Sequence, residues 1–537
     1  MTASAGERSL ARGAAVITLA TALSRVTGFV RVVVVAGAMG TTFLANTYQT
    51  ANTAPNVVFE LVAAGVLTSI FVPTFVEYLA RDRAEEGWEA GNALASVALV
   101  FLAGLALLLA FAAPAVMRLL TIGVEDPVLR EREVELGATF LRLFSPQVAF
   151  YGAGMIMTGA LHAHRRFALP AIAPLLNNVV VIAVYLTYAA MRAGRPPSVT
   201  GITDGETLVL GLGTTLGVVA MTACLAPQLV RMGWRFRFRF DLSHPAVRKG
   251  ARLGVWALGY AGGYQAGLIV VLMLANRVEG GVAAYQWAYT FFYLPHALFA
   301  VPIFSVLFTA MSEHVARRES EGLQEKLREG LGMLVFVLAP VAAALLVLAE
   351  PVATVTLQYG AMTESGATLV ARCLAAFALG LPAYSIFLVF TRAFYAIGDT
   401  RTPALVNALA VIAASAGGAA AFVLAPDRWE VPGLALGHSA GFALGAAVLA
   451  SSFAKREGRV RSTQLMGSVL RSSGAALAAG AVMALVSSLL DPGGVTSSLV
   501  ALVVAGGAGA GAYALLMSWA KSRELQRVVL LVRGARA

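Results

Sequence analysis

The sequence contains few charged residues. Only 13% of its 537 residues are Asp, Glu, Lys or Arg, whereas 58% are hydrophobic and the mean hydropathy is +0.76. A soluble chain of this length normally carries about a quarter charged residues, because it needs a polar surface to face water. This composition excludes a soluble enzyme and predicts an integral membrane protein. The 53 glycines support this interpretation, because small residues let membrane helices pack closely.

The sequence also lacks the patterns of disulfide, metal and catalytic sites. Its two cysteines, Cys224 and Cys373, lie in apolar segments and do not have metal-ligand spacing. The six histidines form no HExxH motif, and there is no Walker loop or paired Asp-rich motif in an external loop. We therefore expect no enzymatic activity, no metal and no cofactor. Without an ATP site, the energy source must be an ion gradient, the membrane potential or the substrate gradient.

Long apolar runs predict about fourteen membrane-spanning helices. Each run can cross about 30 Å of hydrocarbon at about 1.5 Å per residue. The predicted spans are residues 13–38, 43–79, 89–120, 135–161, 168–191, 207–231, 251–276, 282–312, 329–358, 365–396, 402–425, 432–454, 466–490 and 495–519. The predicted fold class is therefore an all-α integral membrane protein without a soluble domain.

Basic residues are distributed unequally between the two predicted sides. With the N-terminus in the cytoplasm, 27 Lys and Arg residues fall in cytoplasmic segments and 7 on the opposite side. Such an excess marks cytoplasmic loops, so both termini are predicted to be cytoplasmic. The net charge of +11 then needs no nucleic-acid partner. The alternating basic and aromatic residues of Trp234–Phe240 are typical of a segment at the headgroups of membrane lipids, with recognition of a specific headgroup as the alternative.

Two short motifs recur at nearly the same offset. The Ser-x7-Glu-x2-Ala-Arg pattern ending at Arg81 recurs ending at Arg317, an offset of 236, and the pattern around Pro170 recurs around Pro403, an offset of 233. These matches indicate a six-helix unit used twice. Because six is even, the two lobes should be related by a pseudo-two-fold axis along the membrane normal. The predicted divisions are 1–240 (N-lobe, helices 1–6), 241–460 (C-lobe, helices 7–12) and 461–537 (helices 13–14 and the cytoplasmic tail).

The first two spans carry polar residues at membrane depth. Arg25 lies near the middle of the first span, and Arg31 follows about 9 Å along the helix axis. A charge at this depth is costly and is a functional candidate by default, with structural pairing as the alternative. In the second span, polar residues at steps of three and four share one helical face: Asn46, Gln49, Thr53, Asn56 and Glu60.

The polar face of the second span must meet protein or a water-filled cavity, because lipid cannot satisfy its amides. Helix–helix hydrogen bonding is one explanation. Since Arg25 and Arg31 lie on the neighbouring span, we favour a polar cavity. Our hypothesis is that Glu60 neutralises one of these arginines when substrate is absent.

A series of motifs resembles one known family. They are Leu23-Ser-Arg-Val-Thr-Gly-Phe-Val-Arg31, Pro55-Asn56, Phe71-Val-Pro73, Arg166-Phe with Pro174 and Asn177-Asn178, Gln358-Tyr-Gly360, Arg372, Phe394-Tyr395, and Asp399 with Pro403. In this order they resemble the MurJ/MviN lipid II flippases of the multidrug/oligosaccharidyl-lipid/polysaccharide exporter superfamily.

The resemblance implies a function and a fold. It implies two six-helix lobes around a central cavity that opens alternately to either side, with a groove for a lipid tail beside the last two helices. The implied substrate is the undecaprenyl-diphosphate-linked peptidoglycan precursor, moved from the inner to the outer leaflet of the bacterial inner membrane. Arg25 and Arg31 would bind its diphosphate, and the polar face of the second span its sugar or peptide. Membrane lipids and the proteins of cell-wall synthesis and division would be the partners.

The chain departs from the family pattern inside the implied cavity. Phe59-Glu60 stands where many members have a basic pair, and Val32 stands where an acidic residue is expected. The cavity is therefore less cationic than in those members. Three alternatives stay open: an exporter of another polyprenyl-linked glycan, a cation-coupled drug antiporter of the same superfamily, and a non-transporting scaffold that recruits cell-wall enzymes.

Overall fold

The computed structural model describes residues 5–80, 84–243, 262–458, 463–491 and 493–534, and within these ranges it contains helices and no strands. The helices are α1 Ala5–Met39, α2 Phe43–Ala80, α3 Ala84–Leu120, α4 Pro127–Phe144, α5 Gln147–Ala163, α6 Ala168–Arg192, α7 Asp204–Ala223, α8 Ala226–Arg231, α9 Gly262–Ala275, α10 Gly281–Pro295, α11 Val301–Ala316, α12 Ser320–Val347, α13 Ala349–Leu357, α14 Glu364–Ala378, α15 Leu381–Ala396, α16 Arg401–Leu424, α17 Glu430–Arg456, α18 Thr463–Leu490, α19 Val495–Trp519 and α20 Arg523–Gly534. The predicted all-α class is confirmed.

The helices follow the predicted membrane spans. Within the described residues, ten segments are long and apolar enough to cross a membrane, or eleven when the bent pair α14–α15 is counted as one span. The predicted membrane protein is therefore confirmed, whereas the count of fourteen is not. The first part of the seventh predicted span lies outside the described residues, as do Arg81 of the repeated motif and the side chains of Phe71-Val-Pro73.

Five of the predicted spans are interrupted: 207–231 between α7 and α8, 329–358 between α12 and α13, and the three that follow. The span 135–161 consists of α4 and α5, which are separated at Ser145 and Pro146. Between α10 and α11, a π-helical turn at His296–Ala300 follows Pro295. Helices α14 and α15 are bent by 46° at Leu379 and Gly380. Proline explains the breaks at Pro146 and after Pro295, because it cannot donate the backbone hydrogen bond that continues a helix.

The described chain divides into two compact units, residues 1–283 and 284–537. In the first unit, α2 contacts α3, α4 and α5, while α6 packs between α1 and α7. In the second unit, α17 packs against α14, α15 and α16, and α12 contacts α11, α15 and α18. The lobe divisions derived from the internal repeat stay a prediction.

Helices α16 and α17 pack through glycines. A Cβ atom on Gly437 would lie 2.3 Å from the backbone nitrogen of Gly418, and one on Gly441 would lie 2.5 Å from the carbonyl oxygen of Ala410. Only glycine permits such an approach of two backbones. This is the small-residue packing expected for membrane helices.

The basic and aromatic segment Trp234–Phe240 lies along α3. The Trp234 indole donates to Asn92 Oδ1 at 3.0 Å, the Asn92 amide donates to the Arg235 carbonyl at 3.2 Å, and the Arg239 backbone N–H donates to Ser96 Oγ at 2.9 Å. The rings of Phe236, Phe238 and Phe240 are exposed. The segment is thus fixed at one end of α3 with its other rings exposed.

Asn46 fastens the beginning of α2 to the beginning of α10. Its Nδ2 donates to the Val278 carbonyl at 2.9 Å, and its Oδ1 accepts from the backbone N–H groups of Val282 and Ala283 at 3.0 and 3.4 Å. The Asn46 side chain is fully buried. Its oxygen therefore satisfies N–H groups in the first turn of α10, which have no partner within their own helix.

The loop before α10 fits closely against the turn that precedes α2. Gly280 has a φ of 69°, and a Cβ atom there would lie 2.5 Å from the carbonyl carbon of Thr41. Beside it, Asn276 donates to Thr50 Oγ1 at 3.1 Å and to the Leu120 carbonyl at 3.1 Å. Residues 276–283 are therefore joined to α2 and to the end of α3 by buried polar contacts.

Glu133 of α4 is buried against α2 at the edge of the fourth predicted span. Thr47 Oγ1 lies 3.2 Å from Glu133 Oε1 and donates to the Phe43 carbonyl at 2.8 Å. Glu133 Oε2 has no hydrogen-bond partner in the described part of the chain. Burial raises the pKa of Glu133 to about 8. At neutral pH the protonated carboxyl can therefore donate to Thr47.

We expect Asn46→Ala to destabilise the protein by about 1–3 kcal/mol, because buried backbone groups would lose their partner. The measurement is thermal unfolding of the purified protein in detergent. Gln49→Ala, one turn further along α2 at a half-buried position, is the matched control and should change the melting temperature little. Wild-type stability of Asn46→Ala combined with a loss of transport would instead assign Asn46 to the substrate.

We expect stability to fall as pH rises from about 4.5 to 8, because in this window the folded protein holds a proton on Glu133 that the unfolded chain has released. Glu133→Gln should remove this dependence. The measurement is the melting temperature of both proteins from pH 5 to pH 9, with the wild type losing roughly 5 °C relative to the variant. Parallel curves would contradict a buried neutral Glu133.

Candidate functional site

Arg25 and Arg31 both lie on α1, which runs unbroken through Gly28. The Arg25 side chain is exposed, and Arg31 is half-buried. The Arg31 guanidinium lies within electrostatic range of the hydroxyl groups of Tyr48, Tyr151 and Tyr185. The structure thus places tyrosines of α2, α5 and α6 near Arg31.

Asn178 of α6 holds the part of α1 that carries Arg25. Its Nδ2 donates to the Ser24 carbonyl and to Thr27 Oγ1, both at 3.1 Å. A Cβ atom on Gly28 would lie 3.5 Å from this amide nitrogen, so the glycine faces Asn178. The Asn177-Asn178 motif therefore contributes a positioning residue to the site, which the sequence alone did not indicate.

The tyrosines near Arg31 are themselves fixed. Tyr48 Oη lies 3.1 Å from Tyr185 Oη and 2.6 Å from Thr214 Oγ1. The Tyr48 ring makes edge contacts with Phe140 and Phe144, with 5.5 Å between ring centroids in each case. Arg31 therefore lies beside a buried hydroxyl cluster, formed by Tyr48, Tyr185 and Thr214, whose members hold each other in place.

The predicted polar face of α2 becomes more accessible along the helix. Asn46 is fully buried, Gln49, Thr53 and Asn56 are half-buried, and Glu60 is exposed. Thr53 Oγ1 donates to the Gln49 carbonyl at 2.7 Å, and Asn56 Nδ2 donates to the Asn52 carbonyl at 2.8 Å. The other four residues of this face, Gln49, Thr53, Asn56 and Glu60, thus present accessible polar surface. The Asn46 side chain instead forms hydrogen bonds with the backbone of residues 278–283.

The structure contains no ion pair between Glu60 and either Arg25 or Arg31 among the described residues. Next to Glu60, the ring of Phe59 lies 5.3 Å from that of Tyr151, which joins α2 to α5. The predicted neutralisation of an arginine by Glu60 is therefore not present in this conformation.

Among the buried titratable residues that were not sequence-based candidates, two have a side-chain atom without a hydrogen-bond partner in the described ranges. One is Glu133, described above. The other is His438 of α17, which is enclosed by the rings of Tyr289, Phe292, Phe377, Tyr384 and Phe442. Neither His438 ring nitrogen has a hydrogen-bond partner within the described ranges. The available signal was its position inside the span 432–454, where a polar side chain is unusual.

Comparisons with known proteins identify relatives over most of the chain. The family model described as "Lipid II flippase MurJ" matches residues 35–505. A probable lipid II flippase MurJ of Rhizobium meliloti (strain 1021) is 27% identical over 412 residues, which cover 75% of this chain and 74% of the relative. The lipid II flippase MurJ of Burkholderia cenocepacia is 27% identical over 385 residues, covering 71% and 72%.

Solved structures share the fold. A lipid II flippase MurJ in an inward closed conformation superposes with a TM-score of 0.76 at 20% identity, covering 94% of this chain and 98% of that one. An inward-facing multidrug resistance MATE family transporter of the MOP superfamily gives a TM-score of 0.65 at 15% identity, covering 82% and 96%. The structures show a common architecture, and the family match, which includes α2 and the end of α1, is more specific: this chain belongs to the lipid II flippase MurJ family.

Proposed function

We propose that this chain moves lipid II, the undecaprenyl-diphosphate-linked peptidoglycan precursor, from the inner to the outer leaflet of the bacterial inner membrane by alternating access. The observation that carries the proposal is the match of residues 35–505 to the lipid II flippase MurJ family. Transport of this kind moves the substrate without making or breaking a covalent bond. The proposal therefore assigns the chain binding residues and no catalytic ones.

In this proposal Arg25 and Arg31 bind the diphosphate. The planar guanidinium forms paired, charge-assisted hydrogen bonds with phosphate oxygens. The surroundings of both residues support this role, since Asn178 holds the α1 backbone next to Arg25 and tyrosine hydroxyl groups lie near Arg31. A backbone already fixed in place reduces the entropy lost on binding.

The accessible part of the α2 polar face contacts the sugar or peptide in this proposal. Gln49, Thr53, Asn56 and Glu60 offer amide, hydroxyl and carboxylate groups on one side of the helix. Hydroxyl-rich sugars and peptide groups need such partners. Asn46 belongs to this face by position, and it acts by holding α2 against the beginning of α10.

The proposed arrangement in the membrane has both termini in the cytoplasm. It assigns residues 1–240 to the N-lobe, 241–460 to the C-lobe and 461–537 to the last two spanning helices and the tail. The supporting observation is the 27 to 7 distribution of Lys and Arg between the two sides. Proteins of cell-wall synthesis and division are the proposed partners on the membrane.

We expect wild-type protein, but not Arg25→Ala/Arg31→Ala, to restore growth of a flippase-depleted bacterium. The double variant loses the diphosphate ligands, so we expect its rate of lipid II translocation in proteoliposomes to fall at least roughly tenfold, equivalent to about 1.4 kcal/mol. The control is Arg118→Ala/Arg132→Ala, which removes the same charge from exposed positions.

Membrane levels of all variants are checked by immunoblotting. Full rescue by Arg25→Ala/Arg31→Ala would contradict the roles of the two arginines. Failure of well-expressed wild type, in cells and in proteoliposomes, would contradict lipid II as the substrate and favour another polyprenyl-linked glycan.

The proposed orientation predicts opposite labelling of two exposed positions. In a background without Cys224 and Cys373, a membrane-impermeant thiol reagent added to spheroplasts should label Thr200→Cys and leave Arg401→Cys unlabelled. Both positions are exposed, so accessibility within the protein does not limit the reaction. Lysis should make Arg401→Cys reactive. Labelling of Arg401→Cys before lysis would reverse the orientation.

A further inference from the structure

A cavity of about 420 Å³ lies in the second unit where α12, α18 and α20 meet. Helix α20 packs beside it through Leu525 and Val528, which contact a buried cluster containing Phe336, Tyr513 and Met517. The charged residues in the N-terminal part of α20 line the cavity. Helix α20 was not predicted, because residues 523–534 mix apolar and charged residues in what was interpreted as a tail.

The cavity contains more basic than acidic side chains. Five basic and three acidic residues line it: Arg328, Arg471, Lys521, Arg523, Arg527, Glu325, Glu329 and Glu524. Two ion pairs use four of these residues, since Arg527 lies 2.7 Å from Glu329 and Arg328 lies 3.6 Å from Glu325. Three basic residues and Glu524 take no part in these two ion pairs.

The three remaining basic residues are Arg471, Lys521 and Arg523. None of them forms an ion pair with a described residue. Glu524 forms no ion pair with them among the described residues, and its Oε1 accepts a hydrogen bond at 2.6 Å from Ser468, which also lines the cavity. Three cations beside the single carboxylate of Glu524 leave an excess of two positive charges in this part of the cavity (three minus one), and an anion there would reduce their repulsion.

Arg471 lies within α18, about two turns after its N-terminal end. It is eight residues beyond Thr463, about 12 Å along the helix axis. Its neighbours Met466 and Leu470 are 61% and 64% exposed on a helix that is long and apolar enough to span a membrane. A Cβ atom on Gly467 would lie 3.8 Å from Arg471 Nη1, which shows that the guanidinium turns back toward the N-terminal end of α18.

This geometry is that of an arginine reaching from the apolar region toward lipid headgroups. A guanidinium at such a depth needs an anionic partner, and within the described residues the protein does not provide one. The same direction takes it toward Lys521 and Arg523, which line the cavity with it. Exposed apolar residues and a cationic cavity therefore adjoin each other on α18.

We propose that this cavity binds the headgroup phosphate of an anionic phospholipid, with Arg471, Lys521 and Arg523 as its ligands and the acyl chains along Met466 and Leu470. The volume is that of a small-molecule site. Arginine and lysine are the side chains that bind phosphate, and the exposed leucine and methionine favour a lipid over free phosphate. The site uses none of the residues assigned to lipid II and does not rest on that assignment.

The carboxylate of Glu524 should weaken the binding of an anionic lipid in this cavity. It is the acidic group of the cavity that has no basic partner, and its Oε2 is buried without a hydrogen bond in the described part of the chain. Its negative charge opposes an incoming anion. Glu524→Gln keeps the oxygen that accepts from Ser468 and should strengthen lipid binding, whereas a purely structural role would predict only a loss of stability.

The test measures thermal unfolding of the full-length purified protein in detergent with three probes. They are dioctanoyl phosphatidylglycerol, dioctanoyl phosphatidylcholine and inorganic phosphate at equal concentrations. We expect phosphatidylglycerol alone to raise the melting temperature of the wild type in a saturable manner. No shift with any probe, or an equal shift with phosphatidylcholine, would overturn the site, and an equal shift with inorganic phosphate would overturn the lipid assignment.

The variants locate the binding. Arg471→Gln/Lys521→Gln/Arg523→Gln should raise the apparent dissociation constant for phosphatidylglycerol at least tenfold, and Glu524→Gln should lower it severalfold. The matched control is Arg231→Gln/Arg317→Gln/Arg401→Gln, which removes three charges from exposed positions and should leave binding unchanged. Equal loss in the control would show general charge attraction and overturn the proposal. If the triple variant does not fold, Arg471→Gln alone and Glu524→Gln still give changes of opposite sign, and changes of the same sign would overturn it.

Discussion

The first half of α2 must satisfy its polar side chains inside the protein, and the first unit is arranged around this constraint. Four consecutive or nearly consecutive residues are at most 1% exposed: Asn46, Thr47, Tyr48 and Thr50. Each is hydrogen bonded to a different part of the unit, namely the beginning of α10, α4, the α6–α7 pair and the loop after α9. Lipid offers no replacement partners, so each contact holds a segment of the first unit against α2.

The part of α2 from Asn46 to Glu60 therefore carries a fixed set of residues and an accessible set. The fixed set includes Tyr48 near Arg31, and the accessible set is Gln49, Thr53, Asn56 and Glu60. A binding site needs both properties, because its residues must be held in position and must still be reachable. In the first unit, buried side chains of α2 and α6 provide the support.

The sequence was sufficient for the fold class and for the course of the helices, because hydropathy depends on local composition. It was not sufficient to separate Asn46 from the rest of its face. Periodicity places Asn46 and Gln49 on the same side of α2, but what covers Asn46 is the segment around Val278, more than two hundred residues later in the chain. Burial of Glu133 and His438 depends on distant neighbours in the same way. Such contacts are a property of packing and leave no local pattern.

The glycine contacts between α16 and α17 have a mechanical consequence. At Gly418 and Gly437 the two backbones touch directly, and a backbone cannot change rotamer to accommodate sliding or rotation as a layer of leucines can. The two helices should therefore move together as one rigid body. Conformational changes within the second unit would then be concentrated at hinges, such as the bend between α14 and α15 or the π-helical turn after Pro295.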